Sequence, residues 1–217
     1  MGDTSDPIAS SRIEYLVGEL TEDAVDPDPL TQLRRWIEDA HEAGLPEAST
    51  SMLATVDADG IPDVRAMLVR GVDHRGVCFY TNLRSATGQQ LAANPAAALA
   101  FYWQPLERQV RLRGRVEPVS DAESDEYFAS RPRGSQLSAW ASQQSEPIAD
   151  RDALDAQAEA VEDRFGDGEI PRPEHWGGFR LWADEVEFWQ GRPARLHDRL
   201  RFRRSEGSGW VLERLQP

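Results

Sequence analysis

Lysine is absent from the 217 residues, and all 24 basic side chains are arginines. Without a primary amine, the protein cannot hold a carbonyl cofactor as a Schiff base, and it lacks the lysine that a P-loop or a protein kinase requires. Arginine stays protonated and binds phosphate or carboxylate through two parallel hydrogen bonds, so anion sites remain chemically workable. A genomic bias towards arginine codons explains the absence as readily as function does, but these mechanisms are excluded in either case.

Cysteine and long hydrophobic runs are also scarce. The single cysteine, Cys78, excludes an internal disulfide and a metal site built from cysteines, and it fits a reducing cytoplasm. No run of about eighteen apolar residues occurs, and residues 1–11 are polar and acidic, so we expect neither a membrane span nor a secretory signal. The formal net charge of −14 argues against a nucleic-acid partner, because phosphate contact requires a basic face.

The composition is otherwise that of an ordinary globular protein, with 40% hydrophobic and 29% charged residues. We interpret residues 1–27, which are polar and interrupted by prolines, as a mobile N-terminal arm with at most a short helix around residues 12–17. Residues 28–217 are predicted to form a single domain. This domain begins with a helix that Asp28 caps and that Gly44 ends.

Alternating apolar residues and hairpin turns predict strands along most of the remaining chain, with helices between them. This pattern is typical of an α+β fold with an antiparallel sheet or barrel. Further helices are predicted at 85–94, 120–128, 135–142 and 150–165. Strands are predicted at 52–56, 63–70, 77–82, 96–103, 108–116, 178–182, 185–189, 197–203 and 210–214.

The first cluster of polar side chains lies on the second predicted strand, where Arg65 and Arg70 stand at the two ends of an apolar run. Strand alternation places Arg65 on the same face as Met67. The other face then carries Ala66, Leu68 and Arg70. Taken alone, the pattern also fits a pair of surface arginines.

The second cluster joins a tyrosine, an arginine and a serine. Tyr127 and Arg131 are four residues apart on a predicted helix that ends at Pro132, so they share a face. Ser135 follows at a predicted helix start, where free backbone N–H groups favour anions. If the three side chains converge, they form a phosphate cradle. Helix capping with a chance salt bridge explains the same residues equally well.

The third cluster is the segment 192–204, which carries six arginines in a chain of negative net charge and therefore attracts anions locally. Arg195, His197 and Arg199 alternate, so they project to one side if the segment is a strand. The flanking arginines are expected to lower the pKa of His197 and to favour a neutral imidazole. An isolated histidine is more often structural, but this charged setting makes His197 a candidate for function.

Several longer motifs follow one another along nearly the whole chain. They are Tyr80-Thr-Asn, Leu-Glu-Arg-Gln109-Val, Ser130-Arg-Pro-Arg-Gly-Ser-Gln, Ala139-Trp-Ala-Ser-x-Gln-Ser145, Trp176-Gly-Gly-Phe, Glu187-Phe-Trp-Gln-Gly, Arg195-Leu-His-Asp-Arg199 and Glu213-Arg-Leu-Gln-Pro217. Together they resemble the FMN-dependent pyridoxine/pyridoxamine 5′-phosphate oxidases. Motifs of this length and order are far more specific than a lone glycine motif.

The resemblance implies a split antiparallel β-barrel, the FMN-binding barrel, with flanking helices. It implies a homodimer that binds FMN at the subunit interface. The implied reaction is the oxidation of pyridoxamine or pyridoxine 5′-phosphate to pyridoxal 5′-phosphate, with hydride transfer to FMN and reoxidation by O2 to give H2O2.

The resemblance also assigns roles to individual residues, and it implies no metal. Arg195 and His197 are expected to orient the reacting end of the substrate. The residues expected to bind the B6 substrate are Arg12, Tyr15, Arg70, Tyr127, Arg131, Ser135, Arg195 and His197. The residues expected to bind the flavin are Arg65, Ala66, Met67, Leu68, Val69, Arg70, Tyr80, Thr81, Ser85, Thr87, Gln109, Gln144, Ser145, Trp189 and Arg199.

The chain departs from the family pattern at two places. Arg70 stands where the family usually has a lysine, and Ala86 and Thr87 stand where it usually has an arginine and a lysine that hold the flavin phosphate. Ser85, Thr87 and helix N-terminal amides are left as donors. A lost charge-assisted hydrogen bond costs on the order of 1.5–3 kcal/mol, so weaker FMN binding is expected. Two alternatives stay open: a flavin oxidase of the same fold with another substrate, as in phenazine biosynthesis, and a non-catalytic flavin or pyridoxal-phosphate binding protein.

Overall fold

The structure, a computed structural model, describes residues 14–207 and 209–217. Arg12 and the start of the predicted arm helix lie outside these residues, and residues 14–20 contain no helical turn. The α-helices are α1 Pro29–Glu42, α2 Ala86–Ala93, α3 Asp121–Ser130, α4 Arg133–Ala141 and α5 Arg151–Phe165. The strands are β1 Thr50–Val56, β2 Pro62–Leu68, β3 Gly71–Asp73, β4 Gly76–Asn82, β5 Ala96–Trp103, β6 Arg108–Pro118, β7 Trp176–Gln190, β8 Asp198–Arg204 and β9 Trp210–Arg214.

Side-chain caps define where the helices begin. The Asp28 carboxylate accepts the N–H of Leu30 at 3.2 Å at the start of α1, and Pro29 occupies the first helical position. Ser120 and Glu123 form the predicted capping box of α3. These short-range signals explain why the predicted helix starts agree with the structure to within two residues.

The sheet is antiparallel in every pair whose register is described. The hydrogen-bonded order is β2-β1-β5-β6-β7-β4-β3, and β8 and then β9 continue from β7. Leu53 lies opposite Arg65 across β1 and β2, and Phe79 lies opposite Phe179 across β4 and β7. The predicted α+β fold with an antiparallel sheet is confirmed.

Three predicted strands differ in length from the structure. The predicted strands at 178–182 and 185–189 are one continuous strand, β7, because Ala183 is buried and stays in the ladder instead of forming a turn. A Cβ on Gly114 would lie 1.9 Å from the carbonyl oxygen of Trp182, so only glycine permits this close approach. The predicted strand at 63–70 ends at Leu68, and the short strand β3 follows it.

The chain divides into two compact units. The first, called the arm unit here, comprises residues 14–48, 101–111 and 185–217 as described. The second, called the cradle unit, comprises residues 49–100 and 112–184. No helix among the described residues is long and apolar enough to cross a membrane.

Each unit has its own buried side chains. In the arm unit, Trp36 packs edge-on against Phe188 with ring centroids 5.1 Å apart, and Phe188 packs against Phe202 at 5.9 Å. In the cradle unit, Phe79 and Phe179 lie 6.0 Å apart between β4 and β7. Burial of these rings stabilises the strands and helices whose ends carry the candidate site residues.

Candidate active site

The guanidinium of Arg131 is the most unusual group in the cradle unit. Arg131 caps the C-terminus of α3, and its guanidinium carbon lies 4.7 Å from the ring of Trp176 and 5.5 Å from that of Phe128. Its Nη1 atom is buried and has no hydrogen-bond partner among the described residues. Burial lowers the pKa of Arg131, and the nearby charge of Arg70 lowers it further. A desolvated cation beside a second cation favours an anionic ligand.

Tyr127 belongs to a ladder of three aromatic rings beside Arg131. Its ring stacks on that of Tyr80 at 4.1 Å, and Tyr80 stacks on Trp176 at 5.4 Å. Gly178 permits this stack, because a Cβ there would lie 2.5 Å from the Tyr80 ring. Burial raises the pKa of Tyr80 to about 12, so its hydroxyl stays protonated and can donate at neutral pH.

Ser135 lies in the first turn of α4, which begins two residues earlier than predicted. Its N–H donates to the carbonyl of Pro132 at 2.8 Å, as does the N–H of Gln136 at 3.1 Å. The N–H of Ser135 is therefore already bonded, and the serine has its hydroxyl to offer to a ligand. Arg133, the other arginine of this motif, donates instead to the carbonyl of Gly168 at 2.8 Å.

The residues of the first cluster lie on β2 and just beyond it. Arg65 is half-buried and donates to the side chains of Asp63, Thr55 and Gln90, while Met67 is half-buried and Ala66 exposed. The predicted alternation therefore holds for Arg65, Ala66 and Met67.

The predicted alternation does not extend to Arg70, because the strand ends at Leu68. Val69 is buried, and its N–H donates to the carbonyl of Ser49 at 3.0 Å. The N–H of Arg70 donates to the carbonyl of Cys78 at 2.8 Å, and the side chain of Arg70 is exposed. The backbone bond to β4 thus fixes the position of Arg70, and its positive charge is close enough to lower the pKa of Arg131.

The start of α2 carries the residues that depart from the family pattern. Ser85 is fully buried and caps the helix through the N–H of Gly88 at 3.3 Å. The hydroxyl of Ser145 accepts the N–H of Ala86 at 3.1 Å. Thr87 is buried, whereas Ala86 is exposed. The Ser85 hydroxyl donates to the carbonyl of Asn82 at 2.6 Å, so the expectation that it binds the flavin directly does not fit its contacts. The helix start presents the Ser145 hydroxyl and the positive end of the helix, with no cation at positions 86 and 87.

Thr81, on β4 before this helix, has an unusual hydroxyl. The residue is 4% exposed, and its Oγ1 atom has no hydrogen-bond partner among the described residues. A buried hydroxyl without a partner is costly and marks a place for a polar ligand atom. Gln144 lines a cavity of about 500 Å³, together with Asn82, Arg84, Trp140, Ser142, Gln143, Glu146 and His175.

His197 is the candidate group of the arm unit. Its Nδ1 atom accepts the backbone N–H of Arg192 at 3.1 Å, so a neutral imidazole carries its hydrogen on Nε2. Burial and then the charge of Arg195 lower the pKa of His197, which confirms the predicted direction. The larger cause is burial, however, rather than a pair of flanking arginines.

The prediction that Arg195, His197 and Arg199 share one face of a strand is wrong. β8 begins at Asp198, and Arg195 lies in a short 3₁₀ turn with the left-handed φ of 62°. Arg199 lies on β8 and donates to Glu187 at 2.9 Å and to the carbonyl of Gln216 at 2.9 Å. Arg111 donates to the same carboxylate at 2.6 Å, and these two bonds outweigh burial and lower the pKa of Glu187.

Two aromatic side chains complete the arm-unit group. Tyr15 packs edge-on against Trp189 at 5.5 Å and against His197 at 5.4 Å, and Trp189 lies 4.7 Å from His197. The Tyr15 side chain also shares a hydrogen bond with Tyr102, for which burial raises the pKa. Gln109 lies on β6 and is half-buried.

Sequence reasoning gave no role to three groups that shape these sites. Trp176 belongs to one of the motifs, but nothing in the sequence predicts that its ring contacts the guanidinium of Arg131. Glu187 likewise stood in a motif, but its two arginine partners come from β6 and β8. The backbone N–H of Arg192 has no sequence signature, because any residue except proline offers one.

Two family models match the chain. Residues 37–165 match the model for pyridoxamine 5′-phosphate oxidase, and residues 176–217 match that for the pyridoxine 5′-phosphate oxidase C-terminal dimerisation region. The pyridoxine/pyridoxamine 5′-phosphate oxidase of Cupriavidus necator is 52% identical over 97% of this chain and 99% of its own length. That of Burkholderia cenocepacia is 53% identical over the same shares.

Solved structures agree on the fold. PhzG from Burkholderia lata, in complex with tetrahydrophenazine-1-carboxylic acid, is similar with a TM-score of 0.86 and 33% identity over 93% of this chain and 99% of its own. A pyridoxamine 5′-phosphate oxidase-related, FMN-binding protein from Nostoc punctiforme has a TM-score of 0.67 at 19% identity, over 83% of this chain and 94% of its own. The second likeness concerns the fold alone.

The fold is therefore that of the split-barrel class of proteins, as the motifs predict. Within that class, the chain belongs to the pyridoxamine 5′-phosphate oxidase family.

Proposed function

We propose that this protein oxidises pyridoxamine 5′-phosphate and pyridoxine 5′-phosphate to pyridoxal 5′-phosphate, with FMN as cofactor and O2 as the final electron acceptor. The observation that carries the proposal is the buried Nη1 atom of Arg131, which has no partner among the described residues. The names and high identity of the curated relatives support the same reaction.

The cradle residues supply what a phosphate monoester requires. Arg131 offers a desolvated guanidinium, Tyr127 and Ser135 offer hydroxyls, and Arg70 adds a second positive charge. A phosphate held there fixes the position of the attached pyridine ring, and this removes much of the entropic barrier to reaction. The rings of Trp176 and Phe128 cover part of the Arg131 guanidinium, so an ion pair there gains strength from a lowered local dielectric.

The residues of the cradle unit fit a flavin mononucleotide, with one weakness. The buried Thr81 hydroxyl needs a polar partner, and the Ser145 hydroxyl beside the start of α2 can donate to a phosphate near the positive end of that helix. The weakness is the lack of a cation at Ala86 and Thr87, which predicts weaker binding than in relatives with arginine and lysine there. When bound, FMN supplies the hydride acceptor and the reaction with O2.

In the arm unit, His197 acts as a hydrogen-bond donor rather than as a base. Its Nδ1 atom is occupied by the Arg192 N–H, and its lowered pKa keeps the ring neutral at pH 7. The Nε2–H group can therefore donate to an electron-rich substrate atom, and Arg195 adds a positive charge beside it. Together these two side chains orient the reacting end of the substrate.

A homodimer is part of the proposal. Residues 176–217, which include His197 and Arg199, match a region whose family description is a dimerisation region. Sedimentation or light scattering of the purified protein tests the assembly, and a monomer at micromolar concentration contradicts it.

The activity is tested by the absorbance spectrum of the FMN-loaded protein before and after anaerobic addition of pyridoxamine 5′-phosphate. Bleaching of the flavin band, and its recovery with peroxide when O2 is admitted, is expected. Pyridoxamine without the phosphate serves as the matched control and should bleach the band far more slowly, because the cradle has no anion to bind. A spectrum unchanged by both amines contradicts the proposal and leaves a non-catalytic binding protein.

A second candidate substrate is a tricyclic carboxylate, since the similar PhzG structure contains tetrahydrophenazine-1-carboxylic acid. Bleaching by such a carboxylate, with none by the B6 phosphates, selects this candidate. The higher identity to B6 oxidases, 52–53% against 33%, favours the B6 reaction.

A further inference from the structure

The loop at 191–197 returns on itself and brings His197 against the start of the same loop. Ala194 and Arg195 both adopt left-handed conformations, with φ of 55° and 62°, and the N–H of Leu196 donates to Pro193 at 3.1 Å. Two consecutive non-glycine residues in this region are costly and persist where the surrounding structure requires them. The result is the 3.1 Å bond between the Arg192 N–H and His197 Nδ1.

The side chain of Arg192 points to a different part of the chain, the end of the N-terminal arm. Its guanidinium donates to the carbonyl of Gly18 at 3.1 Å and lies 3.4 Å from the Glu19 carboxylate. Its Nε atom is 3.6 Å from Asp198, whose carboxylate also accepts the N–H of Leu20 at 3.0 Å. Residues on both sides of His197 therefore hold the arm at residues 18–20.

The arm segment just before this anchor carries Tyr15, three residues ahead of Gly18. The Tyr15 ring packs on His197 and Trp189. It also lies only 2.7 Å from the place where a Cβ on Gly191 would stand. The contact between Tyr15 and the imidazole thus depends on where the chain is held at Gly18.

We propose that Arg192 is a positioning residue that ties the N-terminal arm to the imidazole of His197. Its main-chain N–H fixes the tautomer with hydrogen on Nε2, and its guanidinium holds the arm so that Tyr15 packs on the same ring. The kinetic part of this inference rests on the proposed B6 oxidase function. The structural part concerns the protein without substrate.

The structural part is tested with Arg192→Ala, which keeps the backbone N–H and removes the guanidinium. Nitrogen NMR of the imidazole should show hydrogen on Nε2 in both proteins. Amide hydrogen exchange at Val17 and Leu20, whose N–H groups bond to Glu107 and Asp198, should become roughly tenfold faster in the variant. Arg203→Ala is the matched control, because Arg203 pairs with Glu213 and should leave both readouts unchanged.

The kinetic part uses the FMN-loaded enzyme. KM for pyridoxamine 5′-phosphate is expected to rise roughly three- to tenfold in Arg192→Ala with kcat within about twofold, as for a group that acts through binding alone. Arg192→Lys should recover part of the loss, since an ammonium can reach one acceptor but lacks the planar fork.

Three results would overturn the inference: unchanged exchange at Val17 and Leu20, hydrogen on Nδ1 of His197 in the unaltered protein, or a fall in kcat with KM unchanged. The proposed function can fail separately. A protein that shows the expected exchange and tautomer but oxidises no B6 phosphate contradicts the function and leaves the link between arm and imidazole in place.

Discussion

Two arginines of the cradle unit, the buried Arg180 and the half-buried Arg131, have guanidinium groups with opposite surroundings. Arg180 is 6% exposed and donates to Asp73 and to Glu123, each at 2.8 Å, and Arg75 bonds to the same two carboxylates. The guanidinium of Arg131 faces the rings of Trp176 and Phe128, and the charge of Arg70 lowers its pKa. Its buried Nη1 atom has no hydrogen-bond partner among the described residues.

The difference separates an arginine that stabilises the fold from one that binds a ligand. Desolvation costs free energy at both sites, and at Arg180 two carboxylates offset that cost within the protein. At Arg131 the offset has to come from an anion outside the chain. The two sites also predict opposite results for the same substitution, because methionine has a similar length but no charge.

The largest expected effect is the loss of stability in Arg180→Met. The carboxylates of Asp73 and Glu123 would keep Arg75 as their cationic partner, and loss of the ion pairs of the buried Arg180 costs about 3 kcal/mol in free energy of unfolding. Urea denaturation measures this change. Arg151→Met, which removes an exposed pair with Asp155 on α5, is the matched control and should leave stability almost unchanged. Equal effects of the two variants would contradict the assignment of Arg180.

The next effect is the loss of phosphate recognition in Arg131→Met. We expect kcat/KM for pyridoxamine 5′-phosphate to fall roughly 100-fold, because charge-assisted hydrogen bonds to the phosphate are lost. Stability should stay the same or rise, since a desolvated cation is removed. Steady-state kinetics and urea denaturation give the two numbers.

Arg133→Met is the control for Arg131, since Arg133 lies two residues further and donates to the carbonyls of Gly166 and Gly168. It should keep most of the activity on the phosphorylated substrate. If Arg131→Met instead loses stability as Arg180→Met does, and keeps its kcat/KM, the contrast between the two arginines does not exist.

The sequence was sufficient to predict features that short-range interactions determine. The cap at Asp28 and the capping box at Ser120 are encoded within four residues, so the helix starts followed from them. Tyr127, Arg131 and Ser135 stand close together in the sequence, at the end of one helix and the start of the next. This nearness made the phosphate cradle visible before any contact was known.

Features that depend on distant contacts were missed or misassigned. The left-handed pair Ala194 and Arg195 contains no glycine, so no local pattern predicts the turn that separates Arg195 from the strand that carries Arg199. Ser145 caps Ala86 across 59 positions of sequence, and no local pattern predicts such a bond. That Arg131 Nη1 has no partner among residues 14–207 and 209–217 is likewise a tertiary property, because it depends on which side chains the fold brings to the guanidinium.

A smaller effect is expected when a cation is added where the chain lacks one. Ala86 is exposed at the start of α2, so Ala86→Arg should tighten FMN binding roughly tenfold, a gain near the lower end for a charge-assisted bond. Thr87 is buried, so a lysine at this position would have to extend out of the protein interior before its ammonium could bind the FMN phosphate. Flavin fluorescence quenching measures the dissociation constant.

Ala92→Arg is the control for charge alone, because Ala92 is exposed near the other end of the same helix. It should leave FMN affinity within about twofold. An equal gain from both variants would mean that net charge, and not the phosphate site at the helix start, governs the affinity.

The smallest expected effect concerns Arg195, whose positive charge lowers the pKa of His197 through space, without a hydrogen bond. Burial and then Arg195 lower the pKa of His197 from 6.5, so Arg195→Ala should raise it towards that value but not reach it, because burial remains. Because the pKa of His197 is lower in the folded protein than in the unfolded chain, protons bind the unfolded chain first as the pH falls below 6.5. The free energy of unfolding therefore decreases between pH 6.5 and the lowered pKa. Arg195→Ala should lose less of this free energy than the unaltered protein. An NMR titration of His197 gives the midpoint, with Arg203→Ala as a variant of equal charge change. A midpoint that moves equally in both variants would show that long-range charge, rather than the loop that carries Arg195, sets the protonation of His197.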